Sequence, residues 1–198
     1  MRIVISGSSG LIGRALTTDL ESQGHQVVRL VRSPVSANAG AAATWDPANG
    51  TLDPAVLEGA GAVINLNGRS IADGRWTPAV KTQLRDSRLA STTTLVKAIS
   101  ASASPPPLLI NASAVGYYGD RGEEVLDESS APGSDFLADL ARDWEGAALA
   151  AASDATRVVL LRLAMVIGHG GALERMLLPF RLGAGGPIGS GRQWWPWI

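Results

Sequence analysis

The chain has 198 residues, 45% hydrophobic and 18% charged, enough for one domain with a substantial core. A net charge of −1 gives no cationic field to gather nucleic acid or an anionic membrane. The absence of cysteine excludes disulfides, thiolate nucleophiles and zinc–sulfur sites, and no metal site is expected.

In chain order, a strand is predicted at 2–6 (RIVIS), then a glycine-rich turn and a helix at about 11–23. A second strand follows at 26–31 (QVVRLV), an alanine-rich loop around 37–43, and a weaker strand from Ala43 to Trp45. The run at 61–66 (GAVINL) is the fourth strand, and a helix at 77–100 comes next. Pro105, Pro106 and Pro107 end that helix before a strand at 107–112, because proline cannot continue a helix and pushes its predecessor extended. A third helix at 134–152 carries Phe136, Leu140, Trp144 and Ala148 on one face, to pack on the sheet or on a partner subunit, and a strand at 157–162 follows. Short apolar runs alternating with amphipathic stretches predict an α/β domain with a doubly wound parallel sheet.

No apolar run approaches the roughly 20 residues that span a bilayer. The N-terminus enters a strand directly, so no signal peptide is expected and the predicted compartment is cytoplasmic. The chain closes on a glycine-rich turn, Gly183 to Gly191, and then Gln193-Trp194-Trp195-Pro196-Trp197-Ile198. Three tryptophans with nothing after them to cover them suggest a nucleotide-binding domain over 1–168 and, over 169–198, a return strand and the start of a second lobe whose later residues are absent. A C-terminal strand buried in the core is the alternative.

The turn after the first strand reads Gly7-Ser8-Ser9-Gly10-Leu11-Ile12-Gly13. Between a strand and a helix this spacing is the fingerprint of a dinucleotide pyrophosphate site in a Rossmann fold. The first glycine permits the turn, the second a close approach of backbone to phosphate, and the third tight helix–strand packing. The anion rests on the free N–H groups at the helix start. A kinase or ATPase phosphate loop is excluded, because Arg14 rather than lysine follows Gly13. At the end of the second strand, Val31-Arg32 stands where an NAD site would carry Asp or Glu. A guanidinium pairs with a 2′-phosphate that an acid would repel, so the predicted cofactor is NADP(H).

Trp45-Asp46, Val63 to Gly68, Arg75-Trp76-Thr77, Ser87-Arg88, Ala114 to Gly119, Asp135-Phe136, Trp144-Glu145, Leu178 to Arg181 and Gly185 to Gly191 complete a pattern covering essentially the whole chain. It resembles the extended short-chain dehydrogenase/reductase superfamily, and within it the epimerase-family proteins whose substrate is unsettled. The resemblance implies that Val31 and Arg32 meet the adenosine end. It further implies that Leu66, Asn67 and Gly68 line the cofactor after the fourth strand, and that Gln83, Arg88 and Val166 contribute. It also implies about a hundred further residues forming a substrate lobe.

Superfamily enzymes place Ser or Thr after the fifth strand and Tyr-x-x-x-Lys on the next helix, where the lysine lowers the phenol's pKa for proton transfer. Ser113 fits the serine. The only lysines, Lys81 and Lys97, precede it, and alignment on Glu145 puts Leu137 and Ala141 at the Tyr and Lys positions. Tyr117 and Tyr118 are the substitutes the sequence offers, with Arg121 four residues beyond Tyr117 as a possible charge partner, and His169 is a further proton carrier to consider. Asp120, Glu123 and Glu124 read as loop charges, and His25 as structural. Two functions follow: an NADP-dependent oxidoreductase or epimerase-like enzyme on an unknown small molecule, or a non-catalytic NADP(H)-binding redox sensor. A homodimer through the helices at 77–100 and 134–152 is compatible with either.

Overall fold

The computed structural model describes residues 1–33, 40–168, 170–187 and 189–198. Six strands form one sheet: β1 (Arg2–Ser6), β2 (Gln26–Val31), β3 (Ala42–Thr44), β4 (Ala60–Asn65), β5 (Leu108–Ala114) and β6 (Arg157–Leu163). Their order is β3-β2-β1-β4-β5-β6, every pairing is parallel, and the chain reverses its winding between β1 and β4. The crevice at that reversal, at the carboxyl ends of the strands, is where open parallel sheets bind ligands.

Alternate residues divide the core between the two faces of the sheet. Val4, Val28, Leu30, Val63 and Leu109 pack with Leu95 and Ile99 of helix α2 (Pro78–Ala101). On the other face Ile3, Ile5, Val27, Ala62 and Ile64 pack against Leu16 and Leu20 of helix α1 (Leu11–Ser22). Helix α3 (Phe136–Leu149) lies beside α2, joined to it by a Trp144 Nε1 bond to Thr92 Oγ1 at 2.9 Å and an Arg85–Asp143 ion pair. Of the predicted stripe, Leu140, Trp144 and Ala148 are buried, whereas Phe136 is only half-buried, edge-to-face with Trp76.

Local chemistry sets the helix bounds. The Thr77 hydroxyl accepts from Val80 N, and Pro78 opens α2 where its missing N–H costs nothing. Asp135 caps Ala138 N, which starts α3 two residues later than the apolar pattern suggests. A fourth helix, α4 (Ala172–Arg181), was not foreseen, because Pro179 lies inside it and glycines precede it.

The terminal segment returns to the sheet beyond β6. Met165 pairs in parallel with Trp197, and Ile198 N donates to Met165 O at 3.1 Å. Trp194, Trp195, Trp197 and Ile198 stay exposed, so this is a paired segment and not the buried core strand offered as the alternative.

Candidate functional site

The loop after β1 is a glycine cradle at the start of α1. Gly7 has φ +73°, and a Cβ there would lie 2.6 Å from the carbonyl carbon of Leu66 and 2.9 Å from Asn67 N. Only glycine therefore lets this loop pass against the chain leaving β4. A Cβ on Gly13 would overlap Gly7 O and lie 2.7 Å from Ser8 Cα. Gly10 N donates to Gly7 O at 3.1 Å, and Gly10 caps α1 with no side-chain acceptor and no acid in the first turn. The N–H groups of Leu11, Ile12 and Gly13 have no partner within the helix, which leaves a positive, donor-rich end. Ser8 is half-buried, whereas Ser9 is exposed and its carbonyl accepts from Arg14 Nη1 at 2.6 Å. The segment after β6 approaches the same place: a Cβ on Gly171 would lie 2.9 Å from the Leu11 side chain and 3.4 Å from Val166 O.

Arg32 follows the half-buried Val31 and lines an open cleft of about 520 Å³ together with Asn67. The turn after β3 (Asp46, Pro47, Ala48) and one side of α2 (Asp86, Ser87, Leu89, Ala90) supply the rest of its lining. Gln83 is exposed on α2 and does not line this cleft. Arg88 is half-buried: its Nη1 donates to Arg69 O at 3.1 Å and Leu84 O at 3.0 Å, and its guanidinium lies 5.1 Å over the Trp144 ring. A Cβ on Gly68 would touch that guanidinium at 3.2 Å. Burial pulls the Arg88 pKa down from its ordinary value, and what the side chain does here is brace the loop after β4.

Beneath this loop runs a ladder of buried side chains. Ser6 Oγ donates to Asn65 Oδ1 at 2.6 Å, and Asn65 Nδ2 donates to Asn111 Oδ1 at 2.6 Å and to Thr92 Oγ1 at 2.9 Å. Asn67 N also donates to Asn65 Oδ1, at 3.4 Å, so the ladder holds the backbone of the loop after β4.

At the end of β5, Ser113 is buried and its hydroxyl donates to Glu145 Oε1 at 2.6 Å. Ser113 and Arg162 are register partners on β5 and β6, and α3 brings Glu145 over both. Arg162 grips that carboxylate with two bonds of 2.9 Å, Nε to Oε1 and Nη2 to Oε2. Its Nη1 donates to Tyr118 OH at 2.9 Å, and its guanidinium lies 3.6 Å over the Tyr117 ring. Hydrogen bonding to Glu145, opposed by burial, raises the Arg162 pKa further above its ordinary range. Leu137 packs on Gly116 just before the tyrosines, at 3.3 Å from a Cβ built there, and Ala141 is buried. Arg121 does not serve the tyrosines; it forms a two-pronged pair with Glu124. His169 lies outside the described residues.

Residues 3–198 match the sequence profile of the NAD dependent epimerase/dehydratase family. The chain belongs to that family. An epimerase family protein of Mycobacterium bovis is 44% identical over 198 residues, covering 99% of this chain and 64% of that protein. Human epimerase family protein SDR39U1 is 40% identical over 202 residues, covering 100% of this chain and 66% of its own. The crystal structure of human SDR39U1 (isoform 2) with NADPH superposes with a TM-score of 0.88 at 39% identity, covering 100% of this chain and 65% of that one. A nucleoside-diphosphate sugar epimerase from Corynebacterium glutamicum gives a TM-score of 0.82 at 37% identity, covering 100% of this chain and 41% of that one. The chain thus spans about two thirds of the length of the curated relatives it matches.

Within this epimerase/dehydratase fold, sequence reasoning missed Glu145 as a site residue and Arg162 altogether. One signal was available. Ala141 and Glu145 each follow a stripe residue, Leu140 and Trp144, by one position in α3, so an acid sits next to the buried stripe, and a buried acid requires a partner. An arginine interrupting the apolar run of β6 was the complementary sign.

Proposed function

We propose that the protein binds NADP(H) and is an atypical short-chain oxidoreductase or epimerase-like enzyme acting on a small molecule. The observation that carries this reading is the convergence of Arg32, with no acid at its position, and Asn67 on one cleft beside the glycine cradle of the β1–α1 loop. Gly7 to Gly13 would hold the pyrophosphate on backbone N–H groups, and Arg32 would pair with the 2′-phosphate. The NADPH in the human SDR39U1 structure supports the same choice of cofactor. When bound, the nicotinamide supplies hydride chemistry. Ser113, with its O–H engaged in the hydrogen bond to Glu145, would offer lone pairs to the substrate, and Tyr117 and Tyr118 would border the reacting end.

A second reading, a non-catalytic NADP(H)-binding redox sensor, is favoured by one observation. The groups nearest Ser113 are locked together by Arg162, while Leu137 and Ala141 cannot move a proton. In either reading the partner is a small molecule and not nucleic acid, and residues 169–198 begin a substrate lobe. Among the described residues no helix is long and apolar enough to cross a membrane, and we read the compartment as cytoplasmic. Self-association through α2 and α3 is compatible with both readings.

Titration with NADPH and NADH, followed by tryptophan quenching, tests the cofactor. NADPH binding weakened at least about a hundredfold by Arg32→Asp, with NADH little changed, is the expected result for a lost charge-assisted bidentate pair replaced by repulsion. Equal binding of the two cofactors by the unmodified protein overturns it.

A further inference from the structure

The cleft that holds Arg32 has a second charged feature. Its lining combines apolar groups from the turn after β3, Pro47 and Ala48, with Leu89 and Ala90 from α2, a composition that suits a flat ring. Two carboxylates line it as well, and they differ. Both oxygens of Asp46 are engaged by its own turn: Oδ1 accepts from Ala48 N at 3.0 Å and Asn49 N at 3.2 Å, and Oδ2 accepts from the Asn49 amide at 2.7 Å. The Ser87 hydroxyl is likewise engaged, accepting from Arg69 N and donating to Leu84 O. The Asp86 carboxylate makes no hydrogen bond or ion pair with any described residue, and its backbone is held within α2. An ionised carboxylate only accepts hydrogen bonds, so it selects a ring edge that donates.

We propose that Asp86 is the base-reading residue of this cleft, accepting from the exocyclic amino group of an adenine held between the β3 turn and α2. This deepens the cofactor reading above and rests on it. Arg32 at the ribose phosphate and Asp86 at the base divide recognition between a donor-only and an acceptor-only side chain, so neither substitutes for the other.

The test is the affinity of the whole protein for NADPH and for its purine analogue, in which hydrogen replaces the amino group. The unmodified protein is expected to bind NADPH at least tenfold more tightly. Asp86→Ala is expected to bring the two within about twofold by weakening NADPH alone, and Asp86→Asn, whose amide can both donate and accept, to narrow the gap. Asp86 is exposed on α2, so both variants should melt with the parent. NADPH bound without discrimination, or discrimination retained in Asp86→Ala, overturns the assignment of Asp86 while the cofactor reading stands. No binding of NADPH overturns both.

Discussion

The hydroxyl of Ser113 donates a hydrogen bond to the carboxylate of Glu145 across 2.6 Å, in a site that Arg162 closes from the neighbouring strand. The side chains of Glu145 and Arg162 are 7% and 17% exposed, so removing one leaves the other as an uncompensated buried charge. Arg162→Met is therefore expected to cost about 3–5 kcal/mol of stability, measured by urea unfolding. Adding Glu145→Gln should restore part of the loss. If the two substitutions prove additive, the pair is not coupled.

Ser113→Ala separates the two functional readings. NADPH affinity should stay within twofold, because the serine lies at the end of β5 and not on the phosphate loop. With a turned-over substrate, the rate should fall on the order of a hundredfold, the usual effect of losing one polar contact to the reacting group. Unchanged turnover would remove Ser113 from the chemistry.

The cradle predicts opposite outcomes for two glycine substitutions. Gly7→Ala forces a side chain into a positive-φ turn against Leu66 and should destabilise by more than about 1 kcal/mol and weaken NADPH at least tenfold. Gly146→Ala, at an open position on α3, should stabilise by about 0.5–1 kcal/mol and leave binding alone. Thermal melts with and without NADPH read both.

Hydrogen bonds from Asn49, side chain and backbone, hold the Asp46 carboxyl below its ordinary pKa of 3.8. A lowered folded-state pKa stabilises above the unfolded value and ceases to as pH falls through the folded one. The stability advantage of the parent over Asp46→Asn should be constant from pH 7 to 5 and shrink once the pH passes below 3.8. Denaturant titrations across that range would show a pH-independent difference if the turn does not depend on the charge.

What was legible in the sequence was what is local. Strands buried on both faces read as continuous apolar runs, so β1, β2, β4, β5 and β6 were found within two residues of their bounds. The three-residue β3, at the sheet edge, gave only a weak signal. The glycine loop fell between β1 and α1 and Arg32 directly after β2, as read, because such positions lie at fixed spacing after a strand. The Ser113–Glu145–Arg162 cluster was not, because it depends on Ser113 and Arg162 sharing a register position, which no window of sequence reveals. Arg88 was expected to meet the cofactor, and its bracing of Gly68 depends on a helix–loop contact equally invisible to spacing.

Ser6, Asn65 and Asn111 occupy matched positions on β1, β4 and β5. Sliding β4 by one residue would swing the Asn65 amide to the opposite face, among Ile3, Ile5 and Ile110, which offer it nothing, at a cost of about 1–3 kcal/mol for each orphaned group. A parallel sheet has no hairpins to align its strands, so these three side chains, with Thr92 of α2, make the correct register of β4 the one in which every buried amide is satisfied.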